Sequence, residues 1–288
     1  MKLDEPDTLY AMEPFTQIVH NRFETTMSVR LRSVGLTLTL VATALAASRA
    51  HAQDLSVAAA SDLQSALPVI AVSFEKETGH KLRAVFGSSG NFFMQIQNGA
   101  PFDVFLSADR EYPRRLEASG HAVGGSVIEY AIGRLVLWSR RDSDLDVRRG
   151  LKVVDDPKVQ HIAIANPAHA PYGHAAVAAL RHEHLYERVQ KKLVLGENIS
   201  QAAQFAQSGN AEVGLIALSL ALAPAMKDTG AYVEIPEAWY PPIEQAAAVI
   251  TSSRQPQVAR QFIDYLRSDG AAETLRAYGF ATPTRAAR

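Results

Sequence analysis

Two short polar stretches of this 288-residue chain, the first of them uncharged, sit where an anion could bind. Phe86-Gly87-Ser88-Ser89-Gly90-Asn91 follows an alternating apolar run, Lys81 to Phe86, and precedes a helical pattern, Phe92 to Gln97. It reads as strand, tight turn and helix start. The glycines relax the backbone, and the first turn of a helix leaves N–H groups unpaired, pointing the same way as the serine hydroxyls. That is the make-up of a small-anion site built from dipoles. An ordinary capped turn has the same make-up, and the stretch alone favours it. The second stretch, Ser61-Asp62, ends the run Leu55 to Ala60 and opens a helical pattern with Leu63, Leu67, Ile70 and Phe74 on its apolar side. Ser and Asp suit a helix N-cap, because their oxygens accept first-turn N–H groups.

Other chemistries find little support. Cysteine is absent, which excludes a disulfide scaffold, a thiolate metal site, a cysteine nucleophile and a lipidated cysteine at a leader cleavage point. His182-Glu183-His184 lacks the i, i+4 histidine pair of a zinc protease helix and reads as a solvated helix face. Gly87-Ser88-Ser89-Gly90 is not a Gly-x-Ser-x-Gly elbow. A serine hydrolase would need a base, and His161, His169 and His174 are available, so geometry has to decide that reading. No dinucleotide fingerprint or P-loop occurs. The Phe92-Phe93 pair reads as core, and Arg134, Arg140, Arg141, Arg148 and Arg149 as surface.

The elements that must position the two stretches alternate as strand and helix. Strands at 55–60, 81–86 and 103–107, each followed by a helix, imply a parallel sheet. In such sheets ligands collect at the C-terminal ends of strands, so Ser61, Ser88 and Ser89 can converge. An extended section follows, Val127 to Ile132 and Leu135 to Trp138. A second series then begins with a strand at 161–165, a loop to Gly173 and a helix over 174–185. It continues with Lys192 to Leu195, Gly196-Glu197-Asn198 leading into a helix over 200–207, and a strand at 211–217. Pro241-Pro242 and Gln245 to Ile250 read as a return crossover, with final helices over 254–267 and 270–277 packing back on the first part. The expected architecture is α/β and two-lobed: two parallel-dominated mixed sheets flanked by helices, with two hinge crossovers. Residues 53–131 and 245–288 form lobe I, and 132–244 form lobe II.

Ahead of these elements, Met27 opens a secretory pattern. Arg30 and Arg32 are basic, Val34 to Ala47 is apolar, and Ala50-His51-Ala52 is a small-x-small cleavage site. The apolar stretch is short for a membrane span. Residues 1–26 read as an over-extended start and 27–52 as a cleavable signal peptide, leaving a mature chain in the periplasm without a lipid anchor. Net charge is −1, and no basic field suggests nucleic acid or a membrane surface.

The mature chain resembles the periplasmic molybdate-binding proteins of ABC transporters, which have a type II periplasmic binding fold. The resemblance is carried by Val57 to Leu63, Phe86 to Asn91 leading to Gln95 to Pro101, and Asp103 to Asp109. It continues through Ala165-Asn166-Pro167 with Pro171-Tyr172-Gly173, then Gly196 to Ile199, Gly214 to Ser219 and Tyr278-Gly279-Phe280. It implies a binding protein, not an enzyme, that needs no cofactor and captures molybdate, and tungstate with it, for an inner-membrane ABC permease. It works as a monomer and binds no nucleic acid. Another tetrahedral oxyanion such as sulfate is the alternative ligand, and a secreted α/β hydrolase the more distant reading.

By motif position, Ser61 and Ser89 are expected to give hydroxyls and backbone N–H groups, and Tyr172 and Ile199 backbone N–H groups. Molybdenum is then held only as its oxyanion, through these four. Asp62 is expected to offer its backbone N–H, with its carboxylate turned away to cap its own helix. In one respect the chain departs from the pattern. Some members place a tyrosine hydroxyl donor where this chain has Ala217, and Tyr172 or Asp62 is the expected compensation.

Overall fold

The computed structural model describes residues 54–283. The leader expected over 1–52 lies outside the described residues. Ten strands form two five-stranded sheets. The first has the order β2-β1-β3-β10-β4, from β1 (Leu55–Ala60), β2 (Leu82–Gly87), β3 (Val104–Ser107), β4 (Ile128–Gly133) and β10 (Ile243–Val249). The second has the order β7-β6-β8-β5-β9, from β5 (Leu135–Arg140), β6 (Ile162–Ala165), β7 (Leu193–Gly196), β8 (Val213–Ala217) and β9 (Gly230–Glu234). In the first sheet β1 is parallel to β2 and β3, while β10 is antiparallel to β3 and β4. In the second, β6 is parallel to β7 and β8, while β5 is antiparallel to β8 and β9. The chain leaves the first sheet after Gly133 and returns to it at Ile243.

The helices follow from the apolar spacing. In α1 (Ala66–Thr78), Leu67, Ile70 and Phe74 are buried, and Leu63 ahead of it is buried too. Gly79 ends the helix in the left-handed conformation, φ 77°, where glycine carries no Cβ penalty. The helix α2 (Ser89–Gln97) buries Phe92, Phe93 and Ile96, as the reading of that pair as core required. Next comes α3 (Glu111–Ala118), then α4 (Pro171–His182) and α5 (Ile199–Ser208) in the second series. The last two, α6 (Pro256–Tyr265) and α7 (Asp269–Ala277), pack on the first sheet. Phe262, Ile263 and Leu275 share one apolar cluster with Leu55, Val57, Leu67 and Phe74, and Phe74 meets Phe262 edge to face at 5.2 Å. A second cluster, with Trp138, Leu180 and Ile216, fills the other lobe.

Two expectations shift, and one strand is new. The helix expected from Ser61-Asp62 is a 3-10 turn, Ser61–Leu63, with no side-chain cap, and α1 begins only at Ala66. The helix expected over 174–185 starts three residues earlier, because Pro171 takes a first-turn position that needs no N–H partner. The strand β9 gave no clear signal, since its residues after Gly230 are mostly exposed.

Candidate functional site

Strand register brings the polar stretches together. Ala60 pairs with Gly87 at the ends of β1 and β2, so Ser61 and Ser88 leave the sheet side by side. In the other lobe Ala165 pairs with Gly196, which sets the starts of α4 and α5 next to each other. All these ends face one small cavity, with ≈ 10 Å³ of room for the centre of a water-sized sphere. Ser61, Asp62, Ser89, Tyr172 and Ile199 all line it, together with Ser88 and a few small or apolar residues, and no Lys, Arg or His does.

The hydrogen-bond inventory of the three helix starts leaves one free donor in each. In α2, Gly90 N–H donates to the His169 carbonyl (2.9 Å), Asn91 N–H to Ser88 Oγ (3.3 Å) and Phe92 N–H to the Ser88 carbonyl (3.1 Å). Only Ser89 N–H finds no acceptor among the described residues. In α4, Pro171 has no N–H, and Gly173 and His174 both donate to the Ala170 carbonyl, leaving Tyr172 N–H. In α5, the Asn198 side chain accepts from Ser200 (3.0 Å) and Gln201 (3.1 Å), and the Asn198 carbonyl accepts from Ala202 (3.2 Å), leaving Ile199 N–H. First-turn N–H groups carry the positive end of the helix dipole. Three of them therefore converge on one cavity from three different helices, an arrangement able to receive an anion through dipoles without a cationic side chain.

One of the two expected hydroxyls joins the set, that of Ser89, while the Ser61 O–H is donated elsewhere. Ser89 Oγ accepts the buried Ala108 N–H at 2.9 Å, which leaves its own O–H to donate. Ser61 Oγ reaches across to the second lobe, donating to Asn198 Oδ1 at 3.2 Å and accepting Ser200 N–H at 3.3 Å. Ser88, by contrast, is the N-cap of α2, as the turn reading required.

Asp62 corrects the expectation. Its carboxylate does turn away, and beyond the Asp62 and Leu63 N–H groups of its own turn it is held from across the sheet. It is completely buried and accepts from the side-chain amide of Gln245 on β10. Gln245 Oε1 in turn accepts from Tyr130 Oη at 3.2 Å. Burial pushes the Asp62 carboxyl up to about 6 against these donors. The Tyr172 phenol approaches the same carboxyl, but Asp62 Oδ1 and Tyr172 Oη complete no hydrogen bond of good geometry among the described residues. Burial and the neighbouring Asp62 charge push that phenol well above its ordinary value. Tyr172 Oη also presses on the hinge residue Gly133, where a Cβ would have no room. Ala217 is fully buried in β8 opposite Leu135 and does not line the cavity.

The two lobes touch directly around the cavity. Ser219 Oγ donates to the Asp62 carbonyl at 2.8 Å. Ser88 Oγ lies 2.7 Å from His169 Nδ1, and Asn91 Nδ2 donates to Glu197. Sequence reasoning missed His169, Glu197 and Asn198 as cross-cleft partners, because pairs more than 80 residues apart carry no local signal. Of the other histidines, His161 pairs with Glu212 (3.7 Å) and His182 with Glu183 (3.2 Å) and the Trp239 ring, away from the cavity. The described residues contain no cluster of three or more His, Cys, Asp or Glu able to hold a metal ion.

Known proteins carry the same architecture. Residues 55–281 match the family of bacterial extracellular solute-binding proteins. The chain is 42% identical over 236 residues to the molybdate-binding protein ModA of Azotobacter vinelandii, covering 82% of this chain and 93% of that one. It is 39% identical over 251 residues to ModA of Rhodobacter capsulatus, covering 85% and 97%. The solved periplasmic molybdate-binding protein of Azotobacter vinelandii superposes with a TM-score of 0.76 at 36% identity, covering 80% of this chain and all of that one. This chain belongs to the bacterial extracellular solute-binding protein family.

Proposed function

We propose that this protein captures molybdate outside the cytoplasm and delivers it to an ABC importer. The observation that carries the reading is the convergence of the Ser89, Tyr172 and Ile199 N–H groups, with the Ser89 O–H, on one cavity that no cationic side chain lines. Molybdate is fully ionised at neutral pH and offers only acceptors, so a cage of donors suits it. A monoprotonated phosphate would bring a hydroxyl that needs an acceptor. Selection among dianions then falls to cage size, since a wrong-sized anion leaves buried donors unpaired at a cost of about 1–3 kcal/mol each. The identity to two molybdate-binding relatives supports the same ligand. Tungstate matches molybdate closely in size and charge and fits the same cage.

Ser61, Ser89, Tyr172 and Ile199 hold the anion in this reading, Asp62 adds its backbone, and the molybdenum is touched only through its oxygens. Residues 53–131 with 245–288 and residues 132–244 act as two lobes that close on the ligand. The closed monomer is what an inner-membrane permease receives, after export of the chain to the periplasm by a cleavable leader. The Ser88, His169 and Glu197 side chains have the composition of a hydrolytic triad. However, Ser88 is buried and meets His169 only across the cleft, so the arrangement breaks whenever the cleft opens to admit a substrate. A binder without catalysis is the better fit.

Titration calorimetry of the mature chain with molybdate, tungstate and sulfate tests the reading. Saturable binding of the first two, with sulfate far weaker, is expected. Heat from sulfate alone would assign a different oxyanion, and no binding of any of the three would end the proposal.

A further inference from the structure

Beside the cavity, a set of contacts joins the start of α2 to the loops before α4 and α5. Ser88, Gly90 and Asn91 come from the start of α2, and His169 and Glu197 from the loops before α4 and α5. The Ser88 Oγ to His169 Nδ1 contact is 2.7 Å, and Gly90 N–H donates to the His169 carbonyl at 2.9 Å. Asn91 Nδ2 donates to Glu197 Oε1, and the same oxygen stands 3.8 Å from His169 Nε2. The backbones approach closely here. A Cβ on Gly90 would stand 2.7 Å from the His169 carbonyl oxygen and 2.9 Å from Tyr112 Oη. His169, Gly90, Asn91 and Glu197 do not line the cavity.

We propose that His169 is a cross-cleft latch: a positioning residue that holds the closed state and thereby sets how fast a captured oxyanion escapes. The latch presupposes the binding reading above, but its geometry is separate from the anion donors. Each contact joins the two lobes and is lost on opening, so its free energy appears in the opening step, and association changes less. Gly90 is required for the backbone side of the same contact, because the atom a Cβ would meet is a main-chain carbonyl that cannot swing aside.

Stopped-flow kinetics with molybdate, read by intrinsic fluorescence, tests the latch. The dissociation rate of His169→Ala is expected to rise about five- to tenfold, as befits one net hydrogen bond, with the association rate within about twofold of wild type. Asn91→Ala should raise dissociation in the same direction. Gly90→Ala, whose new methyl group favours the helix itself, should weaken binding more than either. A His169→Ala dissociation rate within twofold of wild type would overturn the latch while leaving the binding reading intact. Failure of wild type to bind molybdate would sink the binding reading alone. The latch would then be judged without ligand, by spin labels on the pair Met94→Cys and Leu195→Cys, placed in a chain with no native cysteine. His169→Ala should lengthen the distance between the labels, and an unchanged distribution would overturn it.

Discussion

Gln245 on β10 donates its side-chain amide to the carboxylate of Asp62, the residue beside Ser61 on the cavity wall. The other end of Gln245 accepts from Tyr130 Oη, which fixes the orientation of the amide. One strand of the hinge thus grips the residue that carries the cavity wall. The same strand runs antiparallel to β4, which ends at Gly133 under the Tyr172 phenol. Cage and hinge share one buried polar cluster, so a change of charge in that cluster is felt in folding.

The Asp62 carboxyl therefore leaves a signature in stability against pH. Its folded value, about 6, lies above its ordinary 3.8, chiefly because of burial. Below about pH 4 it is protonated in both states and its contribution is complete. As pH rises toward 6 the unfolded chain ionises first and that stability is lost, with a plateau above. The loss is on the order of 3 kcal/mol at about 1.4 kcal/mol per pH unit. Asp62→Asn removes this arm and leaves the other carboxylates alone. Urea unfolding of both proteins from pH 4 to 8 should show the variant gaining on wild type as pH rises. A constant difference would mean that Asp62 is not the titrating group.

Ser89→Ala is expected to weaken molybdate binding by more than about tenfold in calorimetry. It removes the O–H donor and also strips the buried Ala108 N–H of its acceptor, an unpaired group that costs about 1–3 kcal/mol of stability. Urea unfolding should register that second cost without ligand. A variant with wild-type affinity would show that the hydroxyl points away from the anion.

The cavity donors were largely legible because each is a local feature. A strand end, a small residue and a helix start announce themselves within six residues, and parallel topology then tells which ends converge. That reasoning brings Ser61, Ser88 and Ser89 together, whereas Asp62, Tyr172 and Ile199 come only from the resemblance to the molybdate-binding proteins. The direction of a side chain was not legible. Ser-Asp after a strand looks like an N-cap, and nothing nearby tells that Gln245, 183 residues later, draws the Asp62 carboxylate under the turn. The latch was equally hidden, since Ser88 and His169 are 81 residues apart and in different lobes.

Tyr172 separates its two possible roles in one experiment. Its N–H is free at the cavity, while its phenol presses on Gly133 and the Asp62 carboxyl. Tyr172→Phe keeps the N–H and removes a buried hydroxyl that completes no well-formed hydrogen bond, so molybdate affinity should change by less than about threefold. Gly133→Ala puts a methyl group where the phenol oxygen lies, and overpacking of that kind costs about 1–3 kcal/mol. The double variant Gly133→Ala with Tyr172→Phe should recover part of that loss, because the oxygen in collision is gone. Thermal unfolding of the four proteins closes the cycle, and strict additivity would place the phenol away from the hinge. A tenfold or larger loss of affinity in Tyr172→Phe alone would instead assign the phenol to the anion, as the donor that Ala217 does not provide.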